Sequence, residues 1–130
     1  MKITEILTLD GLVGAIRQQS ETKFGAGLTR QYVVWFDGTA VGLLIVEAPM
    51  NKDYLAVCKV FVPPENRKQG VGGALMVQAE QLAAALGRKR IRLRPEPFDG
   101  SKTEAQLTDW YSGRGYVRCA ENAEELEKVL

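Results

Sequence analysis

The sequence predicts one mixed α/β domain spanning residues 1–130, and three observations carry that reading. Two runs rich in Val, Ile and aromatics, Gln31–Phe36 and Ala40–Glu47, flank Asp37-Gly38, a strong tight-turn signal for a hairpin. The segment from Gly70 to Leu86 places apolar residues at 71, 75, 76, 79, 82, 83 and 86, a helical stripe stopped by Gly87. Between them a β-rich run ends at Pro63-Pro64 and passes through a basic, glycine-bearing loop into that helix.

Composition sets the bounds. The 130 residues are 45% hydrophobic and 25% charged, the make-up of an ordinary globular chain. A chain of this size buries roughly two thirds of its unfolded surface. No apolar run approaches the ~20 residues a membrane span needs. The opening MKITEILTLD carries acids where a signal peptide would be apolar, which predicts a cytoplasmic protein. A net charge of +1 gives no bulk attraction to nucleic acid. The absence of His excludes Ser-His-Asp triads, Cys-His dyads and His-ligated metals. Cys58 and Cys119 form no CxxC pair, so no metal site is expected and both are read as reduced structural thiols.

Taken in order, residues 2–9 alternate as a strand, and Asp10 is placed to cap a short helix through about Gln19. Ser20–Arg30 reads as a loop or a poorly formed second helix. The hairpin follows, and then a strand over Tyr54–Val62. After the long helix, Arg90–Arg94 alternates as a short strand, read as an edge strand whose arginines, with Arg88, are exposed. Pro95–Lys102 is a loop. Thr103 can cap a helix through Tyr111 or Ser112, ended by Gly113 and Gly115. Tyr116–Cys119 is a last short strand. Asn122 can cap a final helix from Ala123, with Glu121, Glu124, Glu125 and Glu127 on a solvated face.

Most chemical content lies in Val60-Phe61-Val62-Pro63-Pro64-Glu65-Asn66-Arg67-Lys68-Gln69-Gly70-Val71-Gly72-Gly73. The amides of a first helical turn, the helix dipole and glycines that admit a ligand close to the backbone all favour an anion there. The Walker pattern GxxxxGK[ST] is absent, and the dinucleotide fingerprint fails at Leu75, where it needs Gly or Ala. A plain strand-to-helix turn is the blander reading.

The pattern [Gln or Arg]-x-x-Gly-x-[Gly or Ala], present as Arg67-Lys68-Gln69-Gly70-Val71-Gly72, resembles the coenzyme A pyrophosphate loop of the GNAT superfamily of N-acetyltransferases. Val60-Phe61-Val62-Pro63 before the loop and Trp110-Tyr111-Ser112-Gly113-Arg114-Gly115-Tyr116 after it extend the resemblance over about residues 41–119. The resemblance implies a mixed, V-shaped central sheet in which Tyr54–Val62 and Arg90–Arg94 are parallel neighbours that splay apart. It implies main-chain contacts to pantetheine from Phe61 and Val62. It further implies a pyrophosphate held by Arg67, Gln69, Gly70, Val71, Gly72 and Gly73, with Lys68 near the 3′-phosphate. The implied activity is acetyl-CoA-dependent N-acetyl transfer to a primary amine of a small molecule or protein, through a tetrahedral intermediate, with Tyr111 as the acid toward the leaving sulfur. For Tyr111 the blander reading is a core aromatic.

This chain departs from the family in two respects. Its strand Leu55-Ala56-Val57-Cys58-Lys59 carries no carboxylate base, leaving Glu47, Asp53 and Glu96 as alternatives, and residues 1–40 are short for the family. A non-catalytic scaffold binding a protein partner, with or without coenzyme A, is therefore the alternative function. The resemblance also leaves a homodimer open and does not select the acceptor.

Overall fold

A computed structural model describes residues 1–20, 29–97 and 102–130. The chain runs β1 (Lys2–Ile6), α1 (Gly14–Gln19), β2 (Thr29–Phe36), β3 (Thr39–Glu47), β4 (Tyr54–Phe61), α2 (Val71–Ala85), β5 (Arg90–Leu93), α3 (Glu104–Ser112), β6 (Val117–Arg118) and β7 (Leu126–Val129). The strands form one sheet in the order β1-β2-β3-β4-β5-β7-β6, antiparallel throughout except for β4 beside β5. Among the described residues no helix is long and apolar enough to cross a membrane.

The hairpin forms where Asp37-Gly38 places it. Both residues have positive φ, 49° and 76°, the geometry that matches the twist of the flanking strands. The stripe on α2 packs across β3, β4 and β5, burying Val71, Leu75, Met76, Ala79 and Ala83. Gly87 ends α2 at φ 72°: its amide bonds Ala84 O and that of Arg88 bonds Ala83 O, a Schellman stop. Thr103 caps α3 in a reciprocal box, accepting from Gln106 N at 3.1 Å while Gln106 Oε1 accepts from Thr103 N at 2.8 Å. The side chains of α3 join the same core as α2. A second cluster, Leu12, Ile16, Val33, Leu43, Ile45 and Phe61, fills the opposite face beneath α1.

Several expectations change, and one lies outside the described residues. The first helix starts at Gly14, not after Asp10: Gly11 at φ 83° turns the chain, and the Asp10 amide bonds Thr8 Oγ1 instead of opening a helix. The C-terminal segment is a strand rather than a helix. Asn122 caps only one turn, accepting from Glu124 N and donating to Glu125 Oε1, and the chain then inserts as β7 between β5 and β6. Pairing on both sides and a fully buried Leu126 outweigh the helix propensity of the glutamates.

That insertion makes β5 an interior strand and overturns the reading of exposed edge arginines for Arg88, Arg90 and Arg92, while Arg94, just past β5, is exposed as expected. Arg92 is 8% exposed, stacks over Tyr54 at 4.5 Å and pairs with Glu121 and Glu127, while Arg90 reaches Asp53 at 2.7 Å and Glu127 at 2.9 Å. Arg88 Nη1 donates to the carbonyls of Pro49 and Lys52. Glu127 is thus a half-buried counter-ion, not part of a solvated helix face. Cys119, Glu121 and Glu127 approach one another closely enough to suggest a metal, but the two guanidiniums already occupy the carboxylates. Cys119 is buried and Cys58 exposed, so only Cys119 packs as a core thiol. The possible second helix falls largely on residues 21–28, outside the described residues; Thr29 and Arg30 already belong to β2.

Candidate functional site

The site begins with a parting of strands. β4 and β5 pair only from Tyr54↔Arg90 to Val57↔Leu93. Beyond that, β4 stays on β3 through Phe61 while β5 ends and runs into Pro95, which has no amide to offer a ladder. The V-shaped opening expected between these strands is therefore present. The parting coincides with a β-bulge: Ile45 pairs with Lys59 and Val46 with Val57, leaving Cys58 as the extra residue. One extra residue inverts the alternation of faces. Leu55 and Val57 point to the α2 side, but beyond the bulge Phe61 points to the α1 side, and Val60 and Val62 turn toward α2 and the cleft.

The loop comes next. Pro64–Asn66 makes one 3-10 turn, and Arg67 Nε donates to the Val62 carbonyl at 2.9 Å, tying the loop back to the end of β4. The Arg67 amide contacts Pro64 O at 3.4 Å, so the better cradle amides lie after it. Lys68 at φ 64° and Gly70 at φ 81° are left-handed, and such turns curl successive amides into a concave anion nest. The first intrahelical bond of α2 is Ala74 N to Gly70 O. The amides of Val71, Gly72 and Gly73 precede it, and no side chain caps them. A Cβ on Gly72 would meet the Trp110 ring at 3.6 Å and Val62 Cγ2 at 3.9 Å, both ordinary contacts, so packing within the chain does not require glycine there.

Across the cleft stands α3. Leu107, Trp110 and Tyr111, spaced i, i+3 and i+4, line it. Tyr111 is 7% exposed, meets Trp110 edge-on at 4.9 Å and Tyr116 at 5.8 Å, and burial pushes its phenol up to about 12. Tyr116 is pushed further up by the same cause, so both phenols stay protonated at neutral pH.

The cleft has a volume of about 470 Å³. Phe61, Val62, Arg67, Lys68, Gly70, Val71, Gly72, Gly73 and Tyr111 all line it; Gln69 does not. Of the three carboxylates left open by the sequence, only Glu96 lines the cleft. Glu47 pairs opposite Ala56 at the far end of β3, and Asp53 lies before β4 beside Arg90, whose guanidinium holds its carboxyl below the usual range. Trp110, Leu107, Lys102 and Asn66 are lining residues that sequence reasoning left out. The helical spacing of Leu107 and Trp110 with Tyr111 was the signal that could have found the first two.

The donor set suits a phosphorylated, elongated ligand. Unpaired helical amides and two cations sit at one end, a strand edge without a ladder partner among the described residues runs along the middle, and residues 66–73 contain no carboxylate. This is the layout of a protein that holds a nucleotide-bearing thioester. The model of the acetyltransferase (GNAT) domain matches residues 28–118, and the chain belongs to that family. Among curated proteins none matches. The fold is similar to that of a Klebsiella pneumoniae protein assigned as an acyl-CoA N-acyltransferase, at 19% identity and TM-score 0.75 over 99% of this chain and 97% of that one. It is also similar to the PaiA N-acetyltransferase of Thermoplasma acidophilum in complex with coenzyme A, at 13% identity and TM-score 0.67 over all of both chains. N-acetylglutamate synthase of Neisseria gonorrhoeae, complexed with coenzyme A and N-acetyl-glutamate, matches at 16% identity and TM-score 0.64 over 77% of this chain and 25% of its own.

Proposed function

We propose that this chain, acting in the cytoplasm as one catalytic unit over residues 1–130, transfers an acetyl group from acetyl-CoA to a primary amine. The observation that carries the reading is the convergence of three features on one cleft: the unpaired amides of Val71, Gly72 and Gly73, the open edge of β4 beyond Val57, and the hydroxyl-bearing ring of Tyr111. Bound acetyl-CoA would supply an acyl thioester; the rest of the chemistry falls to the protein.

In this reading the amides of α2 and Lys68 hold the pyrophosphate and 3′-phosphate. The backbone of Phe61 and the amide of Val62 guide pantetheine, since the Val62 carbonyl is taken by Arg67. Tyr111 donates a hydrogen bond to the sulfur as negative charge grows on it. With its phenol near 12, complete proton transfer to a thiolate of ordinary pKa about 8.5 is uphill, so donation of a hydrogen bond, not full transfer, is its contribution. We assign Glu96 to receive the amine proton, directly or through a water, because it is the carboxylate that lines the cleft among the three alternatives.

Isothermal titration of acetyl-CoA into the wild type and a Gly70→Glu variant tests the reading. Micromolar binding lost in the variant supports it, since the new carboxylate would sit in the anion cradle. No binding to the wild type overturns it in favour of a scaffold that meets a protein partner.

A further inference from the structure

We infer that Arg114 is a positioning residue for the phosphate cradle, setting the first turn of α2 and adding a full positive charge behind its amides. The inference rests on reading the cleft as a coenzyme A site. Arg114 follows the C-terminus of α3, where its amide bonds the Tyr111 carbonyl at 2.9 Å. From there its side chain crosses to α2. Nη2 donates to the Gly73 carbonyl at 3.3 Å, and the guanidinium carbon lies 5.4 Å from the centre of the Trp110 ring. Nη1 would stand 3.2 Å from a Cβ on Gly73, so the guanidinium rests against the bare Cα of that residue. A side chain at 73 would push it away.

The charge arrangement is unusual for a structural arginine. Among the described residues no carboxylate lies in ion-pair range of Arg114, and its Nε is buried without a hydrogen-bond partner. A buried donor left unmade is costly, and the start of α2 already carries the positive end of its dipole, which repels a cation. The C-terminus of α3 and the Trp110 ring offset part of that cost. An anion bound on the far side of the same turn would complete the compensation. One residue thereby links the element carrying Tyr111 to the element carrying the cradle.

The test is the affinity of coenzyme A as a function of salt for the wild type, Arg114→Gln and Arg114→Lys. Gln keeps a donor toward Gly73 without the charge; Lys keeps the charge without the fork. Loss of one partly buried charge near the ligand predicts about tenfold weaker binding by Arg114→Gln at low salt and a flatter salt dependence, with Arg114→Lys close to wild type on both counts. Wild-type affinity in Arg114→Gln, or equal losses in both variants with the salt dependence unchanged, overturns the inference, because a merely structural residue moves affinity without moving its salt response. If Arg114→Gln fails to fold, Arg114→Lys alone decides, a flattened salt response counting against. Failure of the wild type to bind coenzyme A is a separate result, and it removes the proposed function itself.

Discussion

Gly42 on β3 and Val71 at the start of α2 meet with no room between them: a Cβ on Gly42 would lie 2.6 Å from Val71 Cγ1 and 3.2 Å from Leu75 Cδ1. The missing side chain lets the N-terminal turn of α2 settle onto the sheet, and that turn carries the cradle amides. Gly42→Ala should therefore destabilise the fold by about 1–3 kcal/mol, the usual range for overpacking a filled core. Urea unfolding would read the stability, and titration of coenzyme A should show weaker binding, because the displaced residue is the first of the cradle. Unchanged stability would mean that α2 is free to shift.

Tyr111→Phe keeps the ring contacts with Trp110 and Tyr116 and removes the hydroxyl alone. Turnover should fall by about 10²–10³, the range for losing one preorganised hydrogen-bond donor to a developing charge, with cofactor affinity retained. Because the folded phenol is raised above its ordinary 10 to about 12, its contribution to stability is complete below pH 10 and lost as pH rises through 12. Thermal melts from pH 9 to 12 should show less alkaline loss in the variant. The wild-type rate should show no fall assignable to Tyr111 below about pH 11. Unchanged turnover in the variant would return Tyr111 to the role of a core aromatic.

Lys68 is an exposed non-glycine residue at φ 64°, a conformation that strains L-residues by about 1 kcal/mol. Lys68→Gly should raise stability by about that much while weakening coenzyme A binding several-fold through the lost charge. Opposite signs in the two measurements would identify the lysine as kept for the ligand; a gain in both would remove it from the site.

Glu127 serves two guanidiniums, Arg90 at 2.9 Å and Arg92 at 3.4 Å, on an interior strand pair. Glu127→Ala removes one of the carboxylates around each cation, leaving Arg90 to Asp53 and the nearly buried Arg92 to Glu121, and should lower stability by about 1–2 kcal/mol. Replacing Arg92 by Met in the same chain should recover part of that loss in chemical denaturation. A harmless Glu127→Ala would show that β7 is held by its backbone ladder and Leu126 alone.

Local signals were enough for much of this protein. The Asp37-Gly38 hairpin, the apolar stripe and Gly87 stop of α2, the Thr103 cap and the glycine loop are governed by residues within a few positions of one another, so spacing alone exposes them. The V-shaped parting was implied only by the family resemblance. Other features came from packing across the chain. The segment after Asn122 has the composition of a helix, yet the open side of β5, more than thirty residues earlier in the sequence, made it a strand and drew Arg90 and Arg92 into partly buried ion pairs. The bulge at Cys58 depends on the register against β3, which no local pattern marks, and it decides that Val60 and Val62 face the cleft. Choosing Glu96 over Glu47 and Asp53, and bringing Arg114 against Gly73, required three-dimensional distances between groups far apart along the chain. Periodicity records which way a side chain faces along its own element; only the packed sheet and helices determine what it then meets.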